Sequence, residues 1–156
     1  MGLTVLDAGV VIAALDASDA HHAGAVAALR EAQGRGDRII VPASAYAEAL
    51  VGPSRDGPDK VAIVDAFVDA LPAAVEPASR VIARGAAALR AAHGRGLRLP
   101  DALVLATGSA LGADLVLTTD AGWPATPVAV RVLAPQQDVS EDRSPAKDLS
   151  PSAPSE

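Results

Sequence analysis

Short apolar runs alternate along this chain with stretches of helical spacing. Leu3 to Leu6 reads as a first strand, and Ala8 to Leu15, uncharged throughout, as a short buried helix. Asp16 to Asp19 breaks the pattern, with Ser18 or Asp19 as an N-cap. His21 to Gln33 is amphipathic, with Val26 and Leu29 on the apolar side, and Gly34-Arg35-Gly36-Asp37 ends it. Arg38 to Val41 is a second strand closed by Pro42. Ser44 then caps a helix through Leu50 or Val51, and Gly52 to Asp59, rich in glycine, proline and charge, reads as a loop. Lys60 to Leu71 has helical spacing through Val61, Val64 and Val68. Ala73 to Glu76 reads as a short third strand, and Ala78 to His93 as a long Ala-rich helix stopped by Gly94-Arg95-Gly96.

A helix opening at Leu99-Pro100-Asp101 and running to about Leu111 is apolar on nearly every face, as a central buried helix would be. Leu115 to Thr118 is a fourth strand, Thr119 to Pro127 a loop, and Val128 to Leu133 a final strand. Strands alternating with helices imply an α/β fold of three layers, α/β/α. Its central sheet has four to five mostly parallel strands. From about residue 135 to 156 the composition turns to Ser, Pro and acids with little to bury, which predicts a disordered acidic tail behind one domain over 1–134.

Composition narrows the chemistry. Half the residues are apolar and aromatics are scarce, so the core is built from Ala, Val and Leu. The absence of cysteine excludes disulfides and thiolate metal sites. Any metal is then held by carboxylates or, less naturally, by the three histidines, and oxygen ligands suit Mg²⁺ or Mn²⁺. Neither a basic leader nor an apolar run of spanning length is present, so a soluble cytoplasmic protein without membrane attachment is the expectation.

The net charge of −6 argues at first against nucleic acid. Half of it lies in the tail, and the body carries 11 basic against 14 acidic residues. If Asp7, Glu48, Asp101 and Asp120 are metal ligands, the rest of the body is nearly balanced, and a bound cation changes the local sign. An acidic total therefore does not exclude an RNA substrate.

Each of those four acids also has an ordinary structural reading. Asp7 is a good N-cap for the helix that follows it. Glu48 stands one residue too far from Ser44 for a capping box and is otherwise an unremarked helix glutamate. Asp101 is a first-turn acid favoured by the helix dipole. Asp120 is a turn aspartate before Ala121-Gly122. Their joint placement is what stands out. Asp7 and Asp120 both follow strands, and strands one and four become neighbours at the switch point of a sheet whose chain order reverses after strand one. Acids converging there with no basic residue beside them would repel unless a cation sat among them. One or two Mg²⁺, about 3.5–4 Å apart if there are two, would suit phosphodiester hydrolysis.

The segments Val5-Leu6-Asp7, Tyr46-Ala47-Glu48, Arg98 to Thr107 and Leu117-Thr118-Thr119-Asp120 resemble the four acidic motifs of PIN-domain ribonucleases, and most closely those of the VapC toxins of bacterial toxin–antitoxin modules. The resemblance covers about Leu3 to Leu133 and implies a PIN-like fold. It also implies that Asp7, Glu48, Asp101 and Asp120 are the metal-binding and catalytic acids, with Thr118 as a supporting hydroxyl. The activity implied is a Mg²⁺-dependent endoribonuclease (Mn²⁺ as a substitute) leaving 5′-phosphate and 3′-hydroxyl ends. A homodimer and a cognate VapB-type antitoxin are the implied partners. One position departs from the pattern: the family commonly has Ser, Thr or Asn two residues after the first acid, and Gly9 stands there. The alternative that follows is a catalytically weak PIN-like module that binds RNA or protein.

Arg80, Arg84, Arg90, Arg95 and Arg98 run without an intervening acid. Arg80, Arg84 and Arg98 are candidates for contact with the RNA backbone; a solvated helix face is the competing reading. Adjacent His21 and His22 point about 100° apart on a helix, which favours capping or surface roles over a metal pair. Trp123 reads as a loop anchor. The Asp-x-Asp start of haloacid-dehalogenase-type phosphatases is missing, because Asp7-Ala8-Gly9 lacks the second acid.

Overall fold

The computed structural model describes residues 1–136. The expected disordered tail, beyond Gln136, lies outside the described residues.

Five strands form one sheet in the order β3-β2-β1-β4-β5, all parallel. They are β1 Leu3–Leu6, β2 Arg38–Pro42, β3 Ala74–Glu76, β4 Leu115–Thr118 and β5 Val130–Val132. Parallel neighbours need crossovers, and the helices provide them: α1 Ala8–Leu15, α2 His22–Arg35, α3 Ala43–Asp56, α4 Pro58–Ala70, α5 Arg80–His93 and α6 Leu99–Leu111. Among the described residues no helix is long and apolar enough to cross a membrane.

Every residue of β1 is buried, including Thr4. A strand covered on both faces must be apolar on both, which is why Leu3 to Leu6 shows no alternation. The main core joins β1, β2 and β4 to α1, α2, α3 and one side of α6. A second cluster joins Ile82 and Ala86 of α5 to Ala102, Leu105 and Ala106 on the other side of α6. The sequence reading of α6 as buried nearly all round therefore holds: residues 101, 102 and 104–108 are buried. Its close fit on β4 needs Gly108, where a Cβ would stand 2.9 Å from Val116 Cγ2.

Strands one and four are neighbours, paired Thr4 to Leu115 through Leu6 to Leu117. The chain builds β1, β2 and β3 outward in one direction and β4, β5 in the other. That reversal leaves a crevice at the carboxyl ends of β1 and β4, where open α/β sheets bind ligands.

Several expected boundaries move. The loop expected over 52–59 is mostly helix: α3 continues to Asp56 with Pro53 inside it, and only Gly57 separates it from α4. Proline forfeits one helical N–H bond, but residues 54–56 are solvent-exposed and α3 packs along α4, so the helix survives the interruption. Gly57, at φ 119°, makes the break instead. Ser44 does not cap α3. The helix begins at Ala43 directly after Pro42, and Ser44 Oγ is buried without a partner. α2 runs past Gly34 to Arg35, and Gly36 in the left-handed region ends it. α5 starts at Arg80 because the Ser79 hydroxyl accepts from Ile82 N. The last strand covers only Val130–Val132, since Thr126 Oγ1 donates to Val128 O and holds that stretch in a turn.

Candidate active site

Asp7 is the first residue past β1. Its N–H still donates to Leu117 O of β4 at 2.9 Å, so the sheet ladder itself fixes the backbone of the acid. Its carboxylate is shared between two neighbours. Oδ1 accepts from Ala8 N at 2.8 Å, which makes Asp7 the N-cap of α1. Oδ2 accepts from Thr118 Oγ1 at 2.8 Å. The cap and the site candidate are thus one residue, and the two readings do not compete.

Asp101 enters from α6, whose first turn follows the extended Arg98 and carries Pro100 near its start. Both acids are buried, Asp7 at 7 % exposure and Asp101 at 4 %. Glu48, on α3, and Asp120, two residues past β4, are half-buried. Asp120 N donates to Thr118 Oγ1 at 3.0 Å and its Oδ1 accepts from Gly122 N at 2.7 Å, a tight turn that fixes the loop after β4.

Electrostatics ties the four together. Asp7 is pushed up from its ordinary value to about 6, chiefly by burial. The hydrogen bonds from Thr118 and Ala8 oppose that rise, and the charges of Asp101 and Glu48 add to it. The contrast with Asp37 at the opposite edge of the sheet is instructive. Asp37 is held below its usual range by the Arg35 guanidinium, and it serves structure by accepting from Gly2 N and Thr4 Oγ1. A buried acid kept high by its surroundings is what a reactive or ligand-binding site shows.

The expectation of acids with no basic neighbour is corrected here. Arg98 Nε donates to Asp101 Oδ2 at 3.1 Å. The Asp101 carboxylate raises the Arg98 guanidinium, and Glu48 and Asp120 add to that rise. One cation therefore already faces three of the acids, on a side chain that is 66 % exposed.

The other candidates separate. Gly85 of α5 meets α6 at Ala106, where a Cβ would stand 3.3 Å from the Ala106 Cβ. Ala106 is five residues beyond Asp101, about 7.5 Å along the helix. Arg84 and Arg80 lie further still, because a short connection joins the two helices as an antiparallel pair. Both are exposed. Arg90 is structural, donating to the carbonyls of Gly94 and Leu97. His22 Nδ1 bonds Ala13 O at 2.8 Å and His21 Nδ1 bonds Asp19 at 3.2 Å, so the pair ties α2 to α1 and to its own turn. Trp123 packs against both core clusters, as a loop anchor does. An apolar groove between α5 and α6, lined by Val81, Leu89, Leu105 and Val128, contains none of the four acids.

The residue missed by sequence reasoning is Thr119. A Cβ built at Gly9 would overlap its hydroxyl. The signal was available in the threonine pair before Asp120, but nothing in the sequence says that residue 119 faces residue 9.

The donor set fits a hydrated hard cation better than an enclosed one. Among the described residues no three of His, Cys, Asp and Glu stand close enough to surround an ion. Mg²⁺ does not require that: it keeps several waters and takes one or two carboxylates. Asp7 and Asp101 are both buried, and the charge of Asp101 adds to the rise of Asp7.

Comparison with known proteins places this architecture. Three solved structures share the fold at low identity. VapBC2 from Rickettsia felis, solved bound to a promoter DNA fragment, matches with a TM-score of 0.68 at 14 % identity, over 83 % of this chain and 98 % of that one. VapC20 of Mycobacterium tuberculosis, a sarcin-ricin loop cleaving toxin, matches at 0.59 and 17 %, over 72 % and 86 %. A toxin–antitoxin complex from Klebsiella pneumoniae matches at 0.58 and 20 %, over 81 % and 98 %. No curated protein matches the sequence significantly. The PIN domain family model matches residues 4–128, a span that holds all four acids. The chain belongs to the PIN domain family.

Proposed function

We propose that this protein is a Mg²⁺-dependent endoribonuclease that acts as a toxin and is neutralised by a cognate antitoxin. The observation that carries the reading is that buried Asp7, at the end of β1, and buried Asp101, in the first turn of α6, lie near enough for the charge of Asp101 to add to the rise of Asp7 to about 6. Membership of the PIN family and the likeness to toxin–antitoxin structures support it.

In this reading Asp7 and Asp101 would hold the cation, with Glu48 and Asp120 as the further acids beside them. The bound ion, Mg²⁺ or Mn²⁺, would supply a nucleophilic water at neutral pH and charge stabilisation for the leaving oxygen. The chain's own residues do the rest. Thr118 fixes the rotamer of Asp7 and spares its second oxygen from solvent. Arg98, exposed at the mouth, offers a guanidinium to a phosphate once its acid partner is engaged elsewhere. Arg80 and Arg84 extend the basic surface along α5 for the RNA backbone. A homodimer and a VapB-type antitoxin are the partners proposed, and the cytoplasm is the compartment.

A second reading, a weak RNA- or protein-binding module, draws on Gly9 and on the Arg98–Asp101 ion pair. A cleavage assay on total RNA with Mg²⁺, with Mn²⁺ and with EDTA separates them. Cleavage that EDTA abolishes and either ion restores is the expected result. Intact RNA in both ions, with RNA still retained by the protein, would establish the binding module instead.

A further inference from the structure

We propose that Thr119, the residue after β4, is a positioning residue of the acidic site, and that its hydroxyl takes the place a side chain at residue 9 would take from α1. The inference rests on the metal-site reading above. Three observations carry it.

The first is the overlap. A Cβ at Gly9 would coincide with the space of Thr119 Oγ1, would stand 3.4 Å from Thr119 Cβ and 3.7 Å from Asp7 Oδ2. The Thr119 hydroxyl is therefore turned onto the first turn of α1, on the side where the Asp7 carboxylate lies. The second is backbone conformation. Gly9 is not among the glycines of positive φ, which are Gly36, Gly57, Gly94 and Gly112. It sits inside a helix, where glycine is unfavourable relative to alanine. Conformation gives no reason for glycine at this position; space does. The third is the neighbouring threonine. Thr118 Oγ1 already donates to Asp7 Oδ2, and the next hydroxyl, that of Thr119, lies against Gly9, two residues beyond the same acid.

A neutral hydroxyl is both donor and acceptor. Beside a carboxylate that holds a hydrated cation, it orients a water or a phosphate oxygen without adding charge. Gly9 is then the accommodation that lets Thr119 do this, and the hydroxyl that the family pattern would place at residue 9 is relocated.

The test is Mn²⁺ binding by the full-length protein without RNA, followed by the paramagnetic signal of free Mn²⁺, with metal-free melting temperature as the fold readout. Asp101→Asn is the control for the site itself. Thr119→Val and Gly9→Ala, which remove or displace the hydroxyl, are expected to weaken Mn²⁺ affinity about tenfold, the scale of second-shell losses. Thr119→Ser keeps the parent affinity. The transplant Gly9→Ser with Thr119→Ala recovers affinity over Thr119→Ala alone. Parent affinity in Thr119→Val, or a transplant no better than Thr119→Ala, overturns the proposal. If Asp101→Asn loses Mn²⁺ while Thr119→Val does not, the threonine inference alone fails. If the parent itself binds no Mn²⁺, the metal-site reading fails and the inference with it.

Discussion

Thr118 Oγ1 donates to Asp7 Oδ2 at 2.8 Å, so the last residue of β4 holds the acid that ends β1. Thr118 is fully buried and also accepts from Asp120 N. One hydroxyl thus links two of the four acids. Thr118→Val keeps the shape and removes the link, leaving Asp7 Oδ2 and Asp120 N short of a partner. Unsatisfied buried groups cost about 1–3 kcal/mol, so urea unfolding is expected to show a loss of that size. Asp7 should titrate above its present value of about 6, because the Thr118 bond is what lowers it most. A carboxyl NMR titration reads the shift.

Asp7→Asn separates function from stability. The raised value of Asp7 means that the folded protein holds its proton more tightly than the unfolded chain does. Its stabilising contribution is complete below the ordinary carboxylate range and is lost as pH rises through about 6. At pH 7 the ionised carboxylate costs the metal-free fold on the order of 2–3 kcal/mol. Asp7→Asn should therefore stabilise the EDTA-treated protein at pH 7 by up to that amount and leave it nearly unchanged at pH 3.5. Equal effects at the two pH values, measured by urea unfolding, would contradict this account of Asp7.

Gly108→Ala tests how α6 is seated. Alanine favours helix by about 1 kcal/mol over glycine. Here its Cβ would press on Val116 Cγ2 at 2.9 Å and reach Val128 Cγ2 at 3.5 Å. Overpacking of this kind costs about 1–3 kcal/mol, so the melting temperature is expected to fall. A rise would mean that α6 stands further from β4 than described, with consequences for Asp101.

Arg98→Ala leaves the buried Asp101 carboxylate without its partner, so urea unfolding of the metal-free protein is expected to show a loss of about 1–3 kcal/mol. The role of Arg98 toward RNA is read by binding to a non-cleavable RNA at a fixed Mg²⁺ concentration, where Asp101 is proposed to be engaged by the ion. If Arg98 and Arg84 contact phosphates, each alanine variant weakens binding and lowers the slope of log K against log salt by about one. An unchanged slope for both assigns those arginines to a solvated face.

Much of this site was legible in the sequence. The alternation of strands and helices gave a parallel sheet, the neighbouring of strands one and four followed from its reversal, and Asp7 and Asp120 fell at strand ends as expected. The illegible parts have physical causes. Gly52-Pro53 looks like a break, yet a helix tolerates one lost N–H bond where it is exposed and packed along a neighbour. Ser44 looks like a cap, yet the helix already begins at Ala43, one residue before it. In sequence Arg98 continues the run of arginines that begins on α5, whereas its three-residue spacing from Asp101 at a helix start turns it onto the acid. Gly9 looked like a missing hydroxyl because a sequence shows what a position lacks, not what a distant residue places there.

The central claim is that Asp7 and Asp101 together hold a cation that RNA cleavage requires. The most direct measurement follows Mn²⁺ binding and cleavage of total RNA on the same samples of parent, Asp7→Asn and Asp101→Asn, with circular dichroism to confirm the fold. The parent is expected to bind Mn²⁺ and cleave RNA, and each variant, folded, to lose both. Cleavage at the parent rate by either folded variant in excess Mg²⁺ would contradict it.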